Sequence, residues 1–423
     1  MNNSHKQKTD FSNNVITLFT GTTLAQALPF AISPILTRIY SPEDFGVLAL
    51  FIAISTIFGT ISNFRYELAI VLPKSDEDAI NIVALSILIA FGLSIILFLL
   101  LIIFKNYIVH NLDSKRIDFL IYIVPLSVFL LGLNNVLNFY NTRFKKYKTI
   151  AHTKIIRSII DSIIKLTFGL LYVNPISLIL GNILGVFSSI LYYLKDINNI
   201  KILIADISYA RIIKLAKRYI KFPQFSVWSG LLNSLSINLI NIIINMMYSI
   251  TTLGYYSLVN RVLGMPSIFI GSAIGQVFYQ QSSEDFKVKG NIKNIFLETL
   301  KKLIILSVII FGLMSIFIEN IFLVVFGEQW AIAGTYALIL LPLYCIRFIS
   351  GTLSIILSLL EKQKESLLIN IILLFSYCFI FYMSYILNLT FIQLLYTISI
   401  VLSIEYCIFL IYYYTLVNKI ANN

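Results

Sequence analysis

The chain has 423 residues, 58% of them hydrophobic and only 12% charged, with a net charge of +12. Its mean hydropathy is +0.87, which leaves too little polar side chain to cover a water-facing surface and excludes a soluble globular domain. Apolar runs of about 20 residues, the length a helix needs to cross the hydrocarbon layer, recur throughout. The alternating segments of about ten residues that mark a membrane barrel do not occur. The expected class is an all-α polytopic membrane protein.

Spans are expected at 14–37, 45–63, 79–103, 119–140, 153–172, 176–195, 223–247, 252–278, 303–326, 332–360, 366–387 and 391–416. Twelve spans put both termini on one side. With the N-terminus inside, 23 lysines and arginines fall in inner segments and four (Arg38, Lys105, Lys115, Arg116) in outer ones. That bias places both termini in the cytoplasm and explains the basic charge without a nucleic-acid partner. No signal-peptide cleavage pattern follows the polar start, and the outer loops are too short for a folded domain. His5, His110 and His152 are scattered, so neither a metal site nor a catalytic triad is expected, and no cofactor. Cys345, Cys378 and Cys407 sit in apolar runs and are expected as buried side chains.

Taken in order, span 1 carries Pro29 and Pro34, each of which removes a backbone donor, so a bent helix is expected. Arg38–Gly46 is a charged island between spans 1 and 2. In it Ser41 suits a helix cap, Pro42 the first helical position, and Glu43 and Asp44 the positive end of the helix dipole. Span 2 ends at Arg65 and Glu67. In span 5, Lys154, Arg157, Asp161 and Lys165 are spaced 3, 4 and 4 apart and share one helical face. Asp161 and Lys165 lie about 9–15 Å deeper than Ile155 at about 1.5 Å per residue. Charge there costs about 2.5–3.5 kcal/mol per residue, so the stripe must face water or a partner rather than lipid. It is read either as a cationic cavity wall or as a self-neutralising Arg157–Asp161–Lys165 cluster.

Segment 196–222 mixes Arg211, Lys214, Lys217, Arg218 and Lys221 with aliphatics and reads as an amphipathic helix on the inner membrane face. It divides an N-terminal bundle (1–200) from a C-terminal one (223–423), with 201–222 as connector. In the second bundle Arg261, beside Gly264 and Pro266, and Arg347, after Pro342, are lone intramembrane cations and candidate sites. Glu405 is a lone acid, either an ion site or a packed neutral group. Residues 37–50 (TRIYSPEDFGVLAL) and 245–258 (NMMYSITTLGYYSL) match at Tyr40/Tyr248, Ser41/Ser249, Gly46/Gly254 and Leu50/Leu258. The constant offset carries spans 1 and 2 onto spans 7 and 8. It predicts two parallel six-helix bundles with a cavity between them.

Ile39–Gly46, Arg65–Pro73, Lys221–Ser226, Gly254–Arg261, Gly275–Phe278 and Gly327–Trp330 resemble signatures of the Wzx-type polysaccharide flippases of the MOP exporter superfamily. The resemblance implies two six-helix bundles of MATE-like architecture, in the bacterial cytoplasmic membrane. It implies flipping of an undecaprenyl-pyrophosphate-linked oligosaccharide, for O-antigen, capsule or exopolysaccharide, coupled to a proton or sodium gradient. A polysaccharide polymerase and a chain-length regulator are the implied partners, beside membrane lipid. The implied cationic site draws on Arg157, Lys165, Arg261, Arg347, Lys154, Arg65 and Arg38, with Asp161, Glu67 and Glu405 for coupling or charge pairing. A multidrug exporter would carry mostly acidic cavity charge, a lipid II flippase commonly carries extra spans, and a membrane glycosyltransferase or polymerase would need acidic motifs or a long outer loop.

Overall fold

A computed structural model describes residues 20–112, 118, 120–196 and 206–421. Lys6, Lys8, Lys115, Arg116, Lys201 and the opening residues of the first expected span lie outside the described residues. The described residues are helical, with no strand among them. Nine of their helices are long and apolar enough to cross a membrane. The helix Val124–Arg143 is as long but carries four asparagines (Asn134, Asn135, Asn138, Asn141), and Tyr147–Leu171 carries the charged stripe.

By packing the chain divides into two units, Met1–Leu253 and Gly254–Asn423. In the first, α1 (20–31) and α2 (Ser33–Ile39) are separated by a turn at Ile32, with Pro34 in the first turn of α2. The bend expected from the prolines is therefore a break, and the hydroxyl of Ser33 bonds the carbonyl of Pro29 across it at 2.8 Å. The helix α3 (Pro42–Ile61) opens on a capping box with Ser41 as the cap: the Asp44 N–H donates to Ser41 Oγ at 3.2 Å and the Ser41 N–H to Asp44 Oδ2 at 3.0 Å. Then follow α4 (Asp76–Leu112), α5 (Val124–Arg143), α6 (Tyr147–Leu171), α7 (Pro175–Lys195), α8 (Tyr209–Arg218) and α9 (Val227–Met247). α3 packs on α5, α7 and α9, and α6 packs along α7. Small polar groups join helices where water is absent: Ser189 Oγ donates to Asn134 Oδ1 at 2.7 Å, and Asn63 Nδ2 to the Ser86 carbonyl at 3.0 Å. By contrast α4 turns Leu88, Phe91, Ile96, Leu99 and Ile103 outward, as a lipid-facing helix does.

The amphipathic α8 has a protein partner for its apolar side. Ile212 and Leu215 are buried, and Leu215 joins Ala69, Ile70, Ile82 and Val136 in a core cluster. Asn81 clamps its start through the Asp206 carbonyl at 3.0 Å and the Ser208 N–H at 2.8 Å.

The boundary falls in the first turn of α10 (Ile250–Pro266), and the second unit continues with α11 (Ser272–Lys289), α12 (Lys293–Ile321), α13 (Ala331–Leu353), α14 (Ile356–Leu359), α15 (Gln363–Ile386) and α16 (Phe391–Ala421). A π-helical turn at Ser267–Gly271, after Pro266, joins α10 to α11, a common device where proline interrupts the bond ladder. α11 and α12 run well past the apolar stretch into Lys- and Glu-bearing sequence, which holds a helix as well as leucine does. α13 is the central helix, packed on α12 and α16. Gly327 turns the chain at φ +106°, a conformation that favours glycine. Trp330, just beyond, is fully buried, its ring edge-on to Tyr255 at 5.8 Å. Cys378 and Cys407 are exposed rather than buried: an apolar run does not say which of its side chains turn outward.

Candidate functional site

The charged stripe of α6 is placed by glycines on its neighbour. Gly181 and Gly185 of α7 stand four apart, and a Cβ on Gly181 would sit 2.6 Å from Lys165 Cγ and 2.9 Å from the Asp161 carbonyl oxygen. A Cβ on Gly185 would sit 2.9 Å from the Arg157 carbonyl oxygen. The two backbones approach there because no side chain intervenes, the small-x-x-x-small mode of membrane helices. On the same helix the Tyr40 hydroxyl donates to the Lys165 carbonyl at 2.8 Å.

Within the stripe the members differ. Lys165 Nζ lies 2.7 Å from Asp161 Oδ1, with both side chains buried. This is a neutral unit in a low-dielectric setting, where splitting the pair is expensive. Lys154 is exposed and donates to Thr22 Oγ1 at 2.9 Å. Arg157 lies between them, half-buried, within electrostatic reach of Asp161. Among the described residues no carboxylate comes within ion-pair distance of it. The structure thus joins Asp161 to Lys165 and leaves Arg157, deeper than Lys154, without an ion pair among the described residues.

Arg65 and Glu67 form a separate site at the end of α3. Phe64 and Arg65 both have positive φ (48° and 62°), a tight turn that swings the guanidinium onto α9, where Gly230 makes room for it. Arg65 Nη1 is 3.5 Å from Glu67 Oε1, and the Glu67 side chain is 2% exposed. Glu67 Oε2 and Arg65 Nε have no hydrogen-bond partner among the described residues. Burial raises the Glu67 carboxyl above its ordinary value, against the lowering effects of its own backbone N–H and of Arg65. Arg38 is exposed, in the last turn of α2.

In the second unit Arg261 is half-buried on α10. Arg347 on α13 is exposed, its guanidinium 5.6 Å from the centre of the Tyr344 ring. Tyr256, Tyr377 and Tyr406, from α10, α15 and α16, are also within its electrostatic reach. Among the described residues it has no ion pair. Glu405 takes a hydrogen bond from Ser376 on one oxygen, while its other oxygen, buried, has no partner among the described residues. Two features escaped the sequence reading. The Gly181–Gly185 pair carries a readable spacing. The tyrosines around Arg347, spread from 256 to 406, have no local signal.

The helical order and packing match solved transporters. A lipid II flippase, MurJ, in an inward closed conformation superimposes with a TM-score of 0.71 at 17% identity, over 96% of this chain and 87% of that one. An inward-facing multidrug resistance MATE-family transporter of the MOP superfamily gives 0.65 at 13% identity, over 96% of both chains. A MOP superfamily transporter from Pyrococcus furiosus, described as having a binding pocket of reverse polarity, gives 0.58 at 11% identity, again over 96% of both. The chain has the fold of the MOP-superfamily transporters. No protein of curated function matches its sequence. A family model does, over residues 35–335, and by it the chain belongs to the family described as polysaccharide biosynthesis protein.

Proposed function

We propose that this membrane transporter flips an undecaprenyl-diphosphate-linked oligosaccharide from the inner to the outer leaflet of the bacterial cytoplasmic membrane, by alternating access of twelve spans with both termini cytoplasmic. It moves its cargo and makes no bond in it. The observation that carries the reading is the match to the polysaccharide biosynthesis family on the fold of lipid and drug transporters. A polysaccharide repeat unit built on the inner face must cross with its lipid before it can be polymerised outside.

The residue chemistry supports an anionic cargo. A diphosphate is held best by charge-assisted hydrogen bonds from arginine. Arg157 offers one at span depth, uncompensated by an ion pair among the described residues, whereas Lys165 is neutralised by Asp161. Arg261 is a second candidate, in the other unit. Lys154, Arg65 and Arg38 are peripheral in this reading. Coupling to protons or sodium draws on Glu405, whose buried oxygen lacks a donor among the described residues; Asp161 and Glu67 already face cations. Lipid II, a related diphosphate amphiphile, is the second reading, favoured by the likeness to its flippase.

Deleting the gene tests the function. The expected phenotype is loss of a surface polysaccharide and accumulation of its lipid-linked repeat unit on the inner leaflet, while peptidoglycan synthesis continues. Normal surface polysaccharide would contradict the reading, and a peptidoglycan defect alone would favour lipid II.

A further inference from the structure

The surroundings of Arg347 are unlike those of the other cations. Arg347 is exposed, yet it is carried by the central helix of the second unit, midway along a stretch long and apolar enough to cross a membrane, where facing lipid would be costly. The space it opens into must therefore hold something hydrophilic. Tyr344, on the same helix, lies under its guanidinium, and the phenols of Tyr256 on α10, Tyr377 on α15 and Tyr406 on α16 are within its electrostatic reach. Tyr256 and Tyr344 are buried, and both direct their hydroxyls to Asn260. They form a fixed back wall, and Arg347 stacks on one of them. Tyr377 and Tyr406 are half-buried, and among the described residues their hydroxyls make no hydrogen bond.

We propose that Arg347 and this group of phenols bind a sugar of the transported glycan and select among glycans, a step that rests on the flippase reading above. Three features fit a saccharide better than the diphosphate. A diphosphate carries at least two negative charges and calls for several cations or a row of backbone N–H groups, and here a single cation stands among phenols. A pyranose has apolar C–H faces that lie against aromatic rings. Its neighbouring hydroxyls match the forked donors of a guanidinium and the donor–acceptor hydroxyls of Tyr377 and Tyr406. Such a site rejects a sugar whose hydroxyls cannot meet those groups, because buried polar atoms are then left unpaired. Asn260 is a positioning residue: it fixes Tyr256 and Tyr344 and hence the plane on which Arg347 rests.

The experiment uses the full-length protein in nanodiscs and two probes. One is sugar-free undecaprenyl diphosphate. The other is the repeat-unit oligosaccharide released by mild acid from the host's own lipid carrier. Binding is followed for wild type, Tyr377→Phe, Tyr406→Phe and Arg347→Gln, with thermal stability as the folding check. The phenylalanine variants keep the rings and remove one hydroxyl each. Each is expected to weaken oligosaccharide binding about fivefold, the worth of one hydrogen bond of about 1 kcal/mol. Arg347→Gln is expected to weaken it about tenfold or more, and none should change undecaprenyl diphosphate binding by more than about twofold. Equal loss for both probes would make this a diphosphate site and overturn the proposal. So would oligosaccharide binding that none of the well-folded variants alters. Wild type that binds undecaprenyl diphosphate but not the oligosaccharide would overturn the sugar site and leave the flippase reading standing. Wild type that binds neither would count against both.

Discussion

Lys165 Nζ sits 2.7 Å from Asp161 Oδ1, and the aliphatic stem of that lysine lies where any side chain on Gly181 would have to go. The ion pair and the glycine are one construction: the bare backbone of α7 lets α6 come close enough to bury both charges. Replacing Gly185 by valine puts a Cβ 2.9 Å from the Arg157 carbonyl oxygen, a backbone atom that cannot yield. The expected cost is about 1–3 kcal/mol of overpacking, seen as a lower melting temperature and folded yield in detergent. Gly185→Ala should be milder than valine but still below wild type; a variant as stable as wild type would refute the close approach.

Breaking the pair tests its role. Asp161→Leu alone strands a buried ammonium and should cost about 3–5 kcal/mol. The double variant Asp161→Leu/Lys165→Met removes both charges and should regain most of that stability. If the pair only holds helices together, the double variant also exports glycan; if it takes part in transport, stability returns and export does not. Failure of the second change to restore stability would show that the two residues are not coupled.

Arg157 is expected to behave differently from its stripe neighbours. Arg157→Gln should insert and fold normally yet lower glycan export about tenfold or more, the scale of one charge-assisted hydrogen bond to an anion. Quantifying surface polysaccharide alongside membrane-inserted protein separates the two effects, and undiminished export would remove Arg157 from the cargo path.

The repeat unit makes its own prediction. Ser41 and Ser249 occupy matching positions, and each accepts a hydrogen bond from the N–H three residues on, at Asp44 (3.2 Å) and Thr252 (3.0 Å). Ser41→Ala and Ser249→Ala should each cost about 1 kcal/mol. Ser41 should cost the more, because the reciprocal bond from its own N–H to Asp44 depends on the same geometry. Melting curves of the two variants give the comparison, and a larger loss at Ser249 would count against it.

Glu67 predicts a pH effect. Its carboxyl is raised from the ordinary 4.5, mainly by burial. A raised acid favours the folded state below its unfolded value and loses that contribution as pH rises through the folded value. Wild type should therefore lose stability relative to Glu67→Gln as pH climbs above about 4.5, the unfolded carboxyl value. A stability difference that is flat across that range would mean that Glu67 is not desolvated.

Much of this was legible along the chain because the signals are local. Helix-length apolar runs gave the class, Ser41–Pro42–Asp44 gave the turn into α3, and the 3-4-4 spacing put four charges on one face of α6. Contacts were harder to read. That the stripe meets glycines rather than a cavity over part of its length depends on α7, and the Gly181–Gly185 spacing was its available sign. The amphipathic pattern of α8 correctly marked an apolar face but could not distinguish membrane from the cluster of Ala69, Ile70 and Ile82 as its partner. The phenols around Arg347 come together through tertiary packing of four helices, which no spacing in the sequence records.

The central claim is tested most directly by leaflet transfer in vitro. Purified protein in liposomes, with a lipid-diphosphate oligosaccharide placed in one leaflet and an impermeant reagent reading the other, should move cargo under an imposed proton or sodium gradient, and Arg157→Gln should slow it. Transfer no faster than in protein-free liposomes under either gradient, with cationic drugs moved instead, would contradict the account.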